Sequence, residues 1–452
     1  MPSGENHLGE MARDVVRRAL AAGAGDAECT IEEGDEFSAN VRMRELENLK
    51  EAGSRAAGLR ILIGKRTGSS YTSDLSAAGL ELLVKSAIEL AEVTTDDPHA
   101  GLPEPEELGA LSGGLDLYSA DVDGLETDGR IDLARRAEEA ALAADPRITN
   151  SEGASFDSYA GRHIFANSRG FAGEYRTSSC SLVVVPVARD GESMERDAWH
   201  HSARSLARLE PPEQIGRTAA ARALRRLHPV KVATQKVPVV FEPRVAASLV
   251  ENLFEAVHGM MIYRHESFLA GKLGQKVASE KLSLIDDATM PGLFGTSPFD
   301  DEGVASRRTV VLERGVLKSY LLNTYAARKL GMKTTGNASR GLAGNAGIGH
   351  GNFFVENGVL PPERIIAGIA DGFYVTELIG MGVNTVTGDY SRGAAGFWVE
   401  NGALQYPVAE ITIAGNLRDM LKGIAAVGDD VDVRGGTRVG SILLQEMTIA
   451  GD

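Results

Sequence analysis

Val237-Pro238-Val239-Val240-Phe241, followed by one helical stretch over 244–258, decides the fold. The five-residue run is strand-sized, and in the helical stretch Ala246, Leu249, Val250, Leu253 and Val257 recur at i, i+3, i+4 spacing. After it come short strand-like runs at 307–313, 316–322, 352–359, 396–400 and 410–413. Glu313-Arg314-Gly315, Glu356-Asn357-Gly358 and Glu400-Asn401-Gly402 supply hairpin turns. This pattern predicts a β-rich, partly closed antiparallel C-terminal domain over 236–452.

Toward the N-terminus a helix–strands–helix pattern occurs twice. A helix over 8–22 precedes strand-like runs at 27–32, 36–49 and 56–63, a turn at 64–68 into 69–72, and a helix over 76–92. These make a domain over 1–95. An Asp-, Glu-, Pro- and Gly-rich stretch, 96–125, connects it to a second domain over 126–230. There a helix at 129–143 and strands at 152–157, 163–167, 170–177 and 180–187 precede a helix at 212–227. Strands gathered between helices, without βαβ alternation, give an α+β fold class.

The chain has 452 residues, 47 Lys+Arg against 63 Asp+Glu, and a formal net charge of −16. That balance argues against nucleic acid as a partner, because phosphate neutralisation needs clustered cations. Cys29 and Cys180 are too few for a disulfide framework or a Cys-rich zinc module, and both are expected to be structural thiols. No secretory segment and no membrane-length apolar run occurs, so the expected location is the cytoplasm.

Several motifs fail on spacing. Gly58 to Lys65 has five residues between its glycines where a phosphate loop has four, and Arg66 stands where Ser or Thr should hold Mg²⁺. Gly347-Ile348-Gly349-His350-Gly351 lacks the strand and helix of a dinucleotide site, and no Gly-x-Ser-x-Gly elbow occurs. The pair His200-His201 and the cations Arg222, Arg225 and Arg226 read as solvated charge.

The polar face of 244–258 carries Ser248, Glu251, Asn252, Glu255 and His258. Glu255 and His258, at i, i+3, could share a metal with His265. A His-Glu-x-x-His motif from His265 fails, because position 269 is Leu269. His350, in its glycine loop, could face an extended peptide or lie on a mobile surface loop. A polar face lining solvent or a cavity is the simpler reading. No catalytic residue is expected in this chain; Glu251, Glu255, His258, His265 and His350 are its cavity candidates.

Phe268-Leu269-Ala270-Gly271-Lys272-Leu273-Gly274-Gln275-Lys276-Val277-Ala278-Ser279, Asp300-Asp301-Glu302-Gly303, Glu313 to Tyr320 and Thr335-Gly336-Asn337 resemble the TldD/PmbA family. The ending, Glu410-Ile411-Thr412-Ile413-Ala414-Gly415-Asn416-Leu417-Arg418-Asp419-Met420 and then Glu446 to Gly451, resembles its PmbA (TldE) branch. The TldD branch is similar to a zinc metallopeptidase, with His-Glu-x-x-x-His on the matching helix and a cysteine ligand near the C-terminus. That motif falls on Val250 to Glu255 without gaps, or on Phe254 to Gly259 if shifted. Both histidines are missing in either register, and 431–441 holds no cysteine.

The resemblance therefore implies a non-metallated subunit of a peptidase complex, with zinc in a TldD-type partner. The two chains would shape a cavity in which unfolded or extended peptides are cut. The chain would form a heterodimer with that subunit, or a homodimer. "Modulator of DNA gyrase", a name used for the family, is a genetic label that the charge argues against taking literally. A stand-alone metallopeptidase with a divergent site, or a peptide-binding scaffold, are the alternatives.

Overall fold

The computed structural model describes residues 7–356 and 358–451. The first segment runs α1 (His7–Ala21), β1 (Asp26–Arg42), β2 (Glu45–Ile63), β3 (Arg66–Thr72) and α2 (Ala77–Val93). Beyond the short α3 (Ala120–Asp123), the second runs α4 (Thr127–Leu142), β4 (Ile148–Asn167), β5 (Ala172–Asp190), β6 (Ser193–Arg196), β7 (Trp199–Ala203) and α5 (Pro212–Arg225). Both segments feed one seven-stranded sheet, in the order β3-β2-β1-β4-β5-β6 with β7 on β5. The seam is β1 against β4, antiparallel from Glu28↔Asn167 to Val41↔Ala154.

Side-chain alternation assigns the faces. Ala27, Cys29 and Ile31 pack under α1 and α2, and Phe37, Ala39 and Val41 pack farther along the same face with α4 and α5. Glu28 and Thr30 point the other way, yet they are buried, because the C-terminal half covers that face. Glu28 there pairs with Arg60 at 2.9 Å and with Arg340.

The structure joins strands that the sequence pattern divides. Each of β1, β4 and β5 replaces two expected runs, and the run at 36–49 straddles a hairpin turn. That turn is Met43-Arg44, with φ of 49° and 70°. It lacks the usual glycine or asparagine because buried Glu138 of α4 accepts both its amides, at 2.8 and 2.6 Å. Gly34 does not break β1; the Tyr159 ring lies where its Cβ would stand. Gly58, in β2, lets the Leu342 carbonyl pass where a Cβ would be 1.5 Å from it.

Two charge readings are corrected. Arg222 is buried, bidentate to Glu242 at 2.7 and 3.0 Å and 3.1 Å from Asp197. Arg226 pairs with Glu377. Arg222 lies on the buried face of α5 and Arg226 just past its end is largely covered, so these two cations take carboxylate partners rather than water, while Arg225 is exposed as expected. His200 and His201 lie on β7, half-buried. Burial and the cations Arg434 and Arg244 push His200 down to about 4.

The C-terminal half runs β8 (Gln235–Phe241), α6 (Pro243–Val257), α7 (Gly259–Tyr263), β9 (Leu284–Asp287), β10 (Arg308–Glu313) and β11 (Val316–Leu317). It continues with α8 (Thr324–Leu330), β12 (Ala338–Ser339), β13 (Gly347–Ile348), β14 (Phe353–Val355), α9 (Pro362–Ala367), β15 (Asp371–Ile379) and β16 (Asp389–Glu400). The last elements are β17 (Ala403–Asn416), α10 (Leu417–Lys422), β18 (Ile424–Val427), β19 (Thr437–Arg438) and β20 (Ile442–Ala450). Strands β17-β16-β15-β8-β20 close on themselves through β17–β20, a five-stranded barrel with one parallel pair, β8 and β15. The α+β class and the partly closed antiparallel C-terminal half are as expected, and within that half these five strands close into a complete barrel. A second sheet has the order β11-β10-β9-β14-β19.

Helix α6 packs in the same hydrophobic core as the barrel and the second sheet. Its Ala246, Leu249, Val250, Leu253 and Val257 share that core with Phe241, Phe373, Ile413, Leu284 and Phe353. Arg314-Gly315 and Asn401-Gly402 have the positive φ of tight hairpins; Asn357 lies outside the described residues. No helix among the described residues is long and apolar enough to cross a membrane.

Candidate functional site

Burying the apolar stripe of α6 turns Glu251 toward the second sheet. Pro243 opens the helix, and the Arg222–Glu242 pair anchors the residue before it. Glu251 accepts a hydrogen bond from the Thr437 hydroxyl of β19, and the Nε2 of His350 lies 3.3 Å from its carboxylate. His350 packs edge-on against Phe254 (ring centroids 4.8 Å apart) and stacks on Phe353 at 5.3 Å.

The glycine loop that carries His350 is held by buried polar groups. Asp286 accepts from the Gly351 amide at 2.7 Å and from Asn337 at 2.6 Å. Asn337 also donates to the Gly349 carbonyl, and its own carbonyl accepts the Gly349 amide at 2.9 Å. Asn352 donates to Asp287 O and Thr296 Oγ1. Gly295 and Gly351 meet backbone to backbone, leaving no room for a Cβ on Gly295. These bonds fix the loop, and its Gly349 and Gly351 amides are used internally rather than offered to a peptide.

His350 borders a cavity of about 320 Å³ between the seven-stranded sheet and the C-terminal half. Tyr175 and Arg204 form its sheet side; Asp300, Asp301, Asn337 and His350 form the other. Burial raises Asp286 to about 6, against the pull of Asn337, His350 and the Gly351 amide. Burial and neighbouring Glu302 push Asp300 well up; burial also raises Asp301, opposed by His163 and Arg340. Arg204 is buried and donates only to carbonyls, of Ser178, Leu293 and Phe294. Burial lowers its pKa.

The structure thus brings Glu251 and His350 together and leaves the other candidates apart. Glu255 and His265 are exposed, His265 with φ 59°. His258 follows the end of α6 with its ring 5.9 Å from Phe254. Among the described residues no three His, Cys, Asp or Glu side chains are grouped to hold a metal ion. Val250 and Phe254 are core residues. The groups around Glu251 are one imidazole and one hydroxyl, which does not fit the three protein ligands of a catalytic zinc. Cys29 and Cys180 are buried, and burial pushes both thiols up to about 12.

Sequence reasoning passed over Thr437, Asp286, Arg204 and Tyr175. Asn337 and Asp300-Asp301 lay within quoted motifs, but nothing local gave them a chemical role. They meet only through long-range packing.

Family models described as PmbA/TldA metallopeptidase domain 1, central domain and C-terminal domain match residues 27–91, 120–227 and 234–451. "Metalloprotease PmbA" of Escherichia coli O157:H7 is 40% identical over 434 residues, covering 96% of this chain and 94% of that protein. "Metalloprotease PmbA homolog" of Haemophilus influenzae is 37% identical, covering 99% and 97%. A crystal structure from Bacteroides thetaiotaomicron, described as a putative modulator of DNA gyrase, superposes with TM-score 0.92 at 29% identity over 100% of both chains. TldE from Thermococcus kodakarensis shares the fold, with TM-score 0.88 at 22% identity over 98% and 100%.

Proposed function

The chain belongs to the PmbA/TldD metallopeptidase family, and from that premise we propose that it is the non-metallated subunit of a two-chain peptidase. In this reading a TldD-type partner carries the zinc, and the present chain supplies part of the wall of the chamber that peptides enter. One observation carries it: Glu251 on α6 is engaged by His350 and Thr437, Glu255 on the same helix is exposed, and among the described residues neither belongs to a ligand set. A carboxylate acts as general base in zinc hydrolysis only beside a metal-bound water of lowered pKa. Glu251 is instead occupied with an imidazole and a hydroxyl. The polar cavity beside His350 suits backbone and side-chain groups of an extended peptide.

The same reading places the protein in the cytoplasm as a heterodimer, with a homodimer when the partner is absent. The test is reconstitution. The purified chain is expected to carry no stoichiometric zinc and to leave an unfolded peptide intact. Adding a TldD-type subunit is expected to give co-elution and chelator-sensitive cleavage. Chelator-sensitive cleavage by this chain alone would overturn the proposal in favour of a stand-alone enzyme. Failure to co-elute with any TldD-type subunit would favour a peptide-binding scaffold.

A further inference from the structure

The segment 268–277 is one of those that carry the family resemblance, yet nothing at the Glu251 site uses it. It forms one wall of a separate pocket of about 440 Å³, closed by α10. Lys272 and Lys276 come from this segment, Arg418 and Lys422 from α10, and Phe268, Leu269 and Val277 are its apolar part. No carboxylate lines it, and none of the four cations has an ion-pair partner among the described residues. In a chain of net charge −16, four unpaired cations around one concavity are the exception.

The wall is fixed in advance of any ligand. Gly271 and Gly274, with φ of 71° and 76°, turn the chain twice. The Gly274 amide donates to Leu317 O at 2.8 Å and Val277 to Gly315 O at 2.8 Å, while Ser279 donates to Leu421 O of α10 at 2.8 Å. Tyr320 donates from its hydroxyl to Leu269 O and accepts the Lys272 amide. Arg418 is held by the Val386 carbonyl at 3.2 Å and lies over the Phe268 ring. Cations gathered on a fixed frame repel one another, and a bound anion relieves that repulsion.

The geometry points to a binding site for a small polyphosphate-bearing molecule in this pocket, independent of the peptidase reading. Its volume is that of a small-molecule site. Three lysine point charges and one arginine match closely spaced phosphate charges, and Gln275 adds an amide donor.

The experiment is titration calorimetry of the full chain at low ionic strength with inorganic triphosphate and, separately, with ATP. Both are expected to bind with sub-millimolar Kd, and added salt is expected to weaken both. ATP binding more tightly than triphosphate would show that the base packs on the apolar part; equal affinity would show recognition of phosphate alone. Lys272→Gln combined with Lys422→Gln is expected to weaken binding about tenfold or more, with the circular dichroism of the wild type retained. The proposal is overturned if neither polyphosphate binds, if the double variant binds like wild type, or if only an Asp- and Glu-rich peptide binds.

Discussion

The Nε2 atom of His350 lies 3.3 Å from the Glu251 carboxylate while its Nδ1 lies 2.9 Å from the Gly351 carbonyl. Acceptors flank the ring on both sides, so the doubly protonated imidazolium satisfies both contacts. Burial works against that charge, but Glu251, the Gly351 carbonyl and Asp286 outweigh it and raise the His350 pKa. Glu251 is lowered, against its own burial, by His350 and Thr437.

The sign of the pH effect follows. A histidine raised on folding stabilises below its unfolded value and loses that contribution as pH rises through the folded one. The stability gap between wild type and His350→Gln should therefore be widest in mildly acidic urea titrations and should close in alkali. Because Glu251 is partly exposed, the gap should be only about 0.5–1 kcal/mol. A gap independent of pH would contradict this account.

The Met43-Arg44 turn depends on a carboxylate distant in sequence. Glu138→Ala strands two amides and should cost about 2–3 kcal/mol. Hydrogen exchange should quicken first at residues 43–46. Unchanged exchange there would mean that the turn holds itself.

Gly58 is where the loop at 340–346 crosses β2. Gly58→Ala forces the Leu342 carbonyl away and loosens the Arg340–Glu28 ion pair beneath it. A loss of about 1–3 kcal/mol is expected, as for overpacking elsewhere. Limited proteolysis should cut within 340–346 in the variant and spare the wild type.

Both thiols should be silent in the folded protein. Burial holds Cys29 and Cys180 near 12, so a thiol reagent at neutral pH should label neither until denaturant is added. Rapid labelling of native protein would show that one of these strands opens.

The helices were legible because their apolar stripes are local: Leu80, Leu83, Val84 and Ala87 mark α2 without help from elsewhere. Strand lengths were not. Gly34 reads as a break until Tyr159 is known to cover it, and Met43-Arg44 reads as strand until Glu138 is known to hold it. The site divided the same way. Periodicity put Glu251 on the polar face of its helix, and the glycine loop marked His350. Their contact spans 99 residues and that of Thr437 with Glu251 spans 186, while Asp286 meets its partners across 51 and 65 residues and Arg204 across 26 to 90. Arg222 and Arg226 misread as solvated because nothing local records that Glu242 and Glu377 meet them.

The β1–β4 seam has a practical consequence for dissecting this protein. From Glu28 to Val41, strand β1 has its ladder partner beyond the connecting segment. A fragment ending near residue 95 would carry an unpaired edge of that length, an open template for another copy. Such a fragment should self-associate, and one running through residue 230 should not. Sequence order places the first helices and strands in one unit, but the hydrogen-bond ladder makes residues 28–41 and 154–167 the pair that must be inherited, expressed and truncated together.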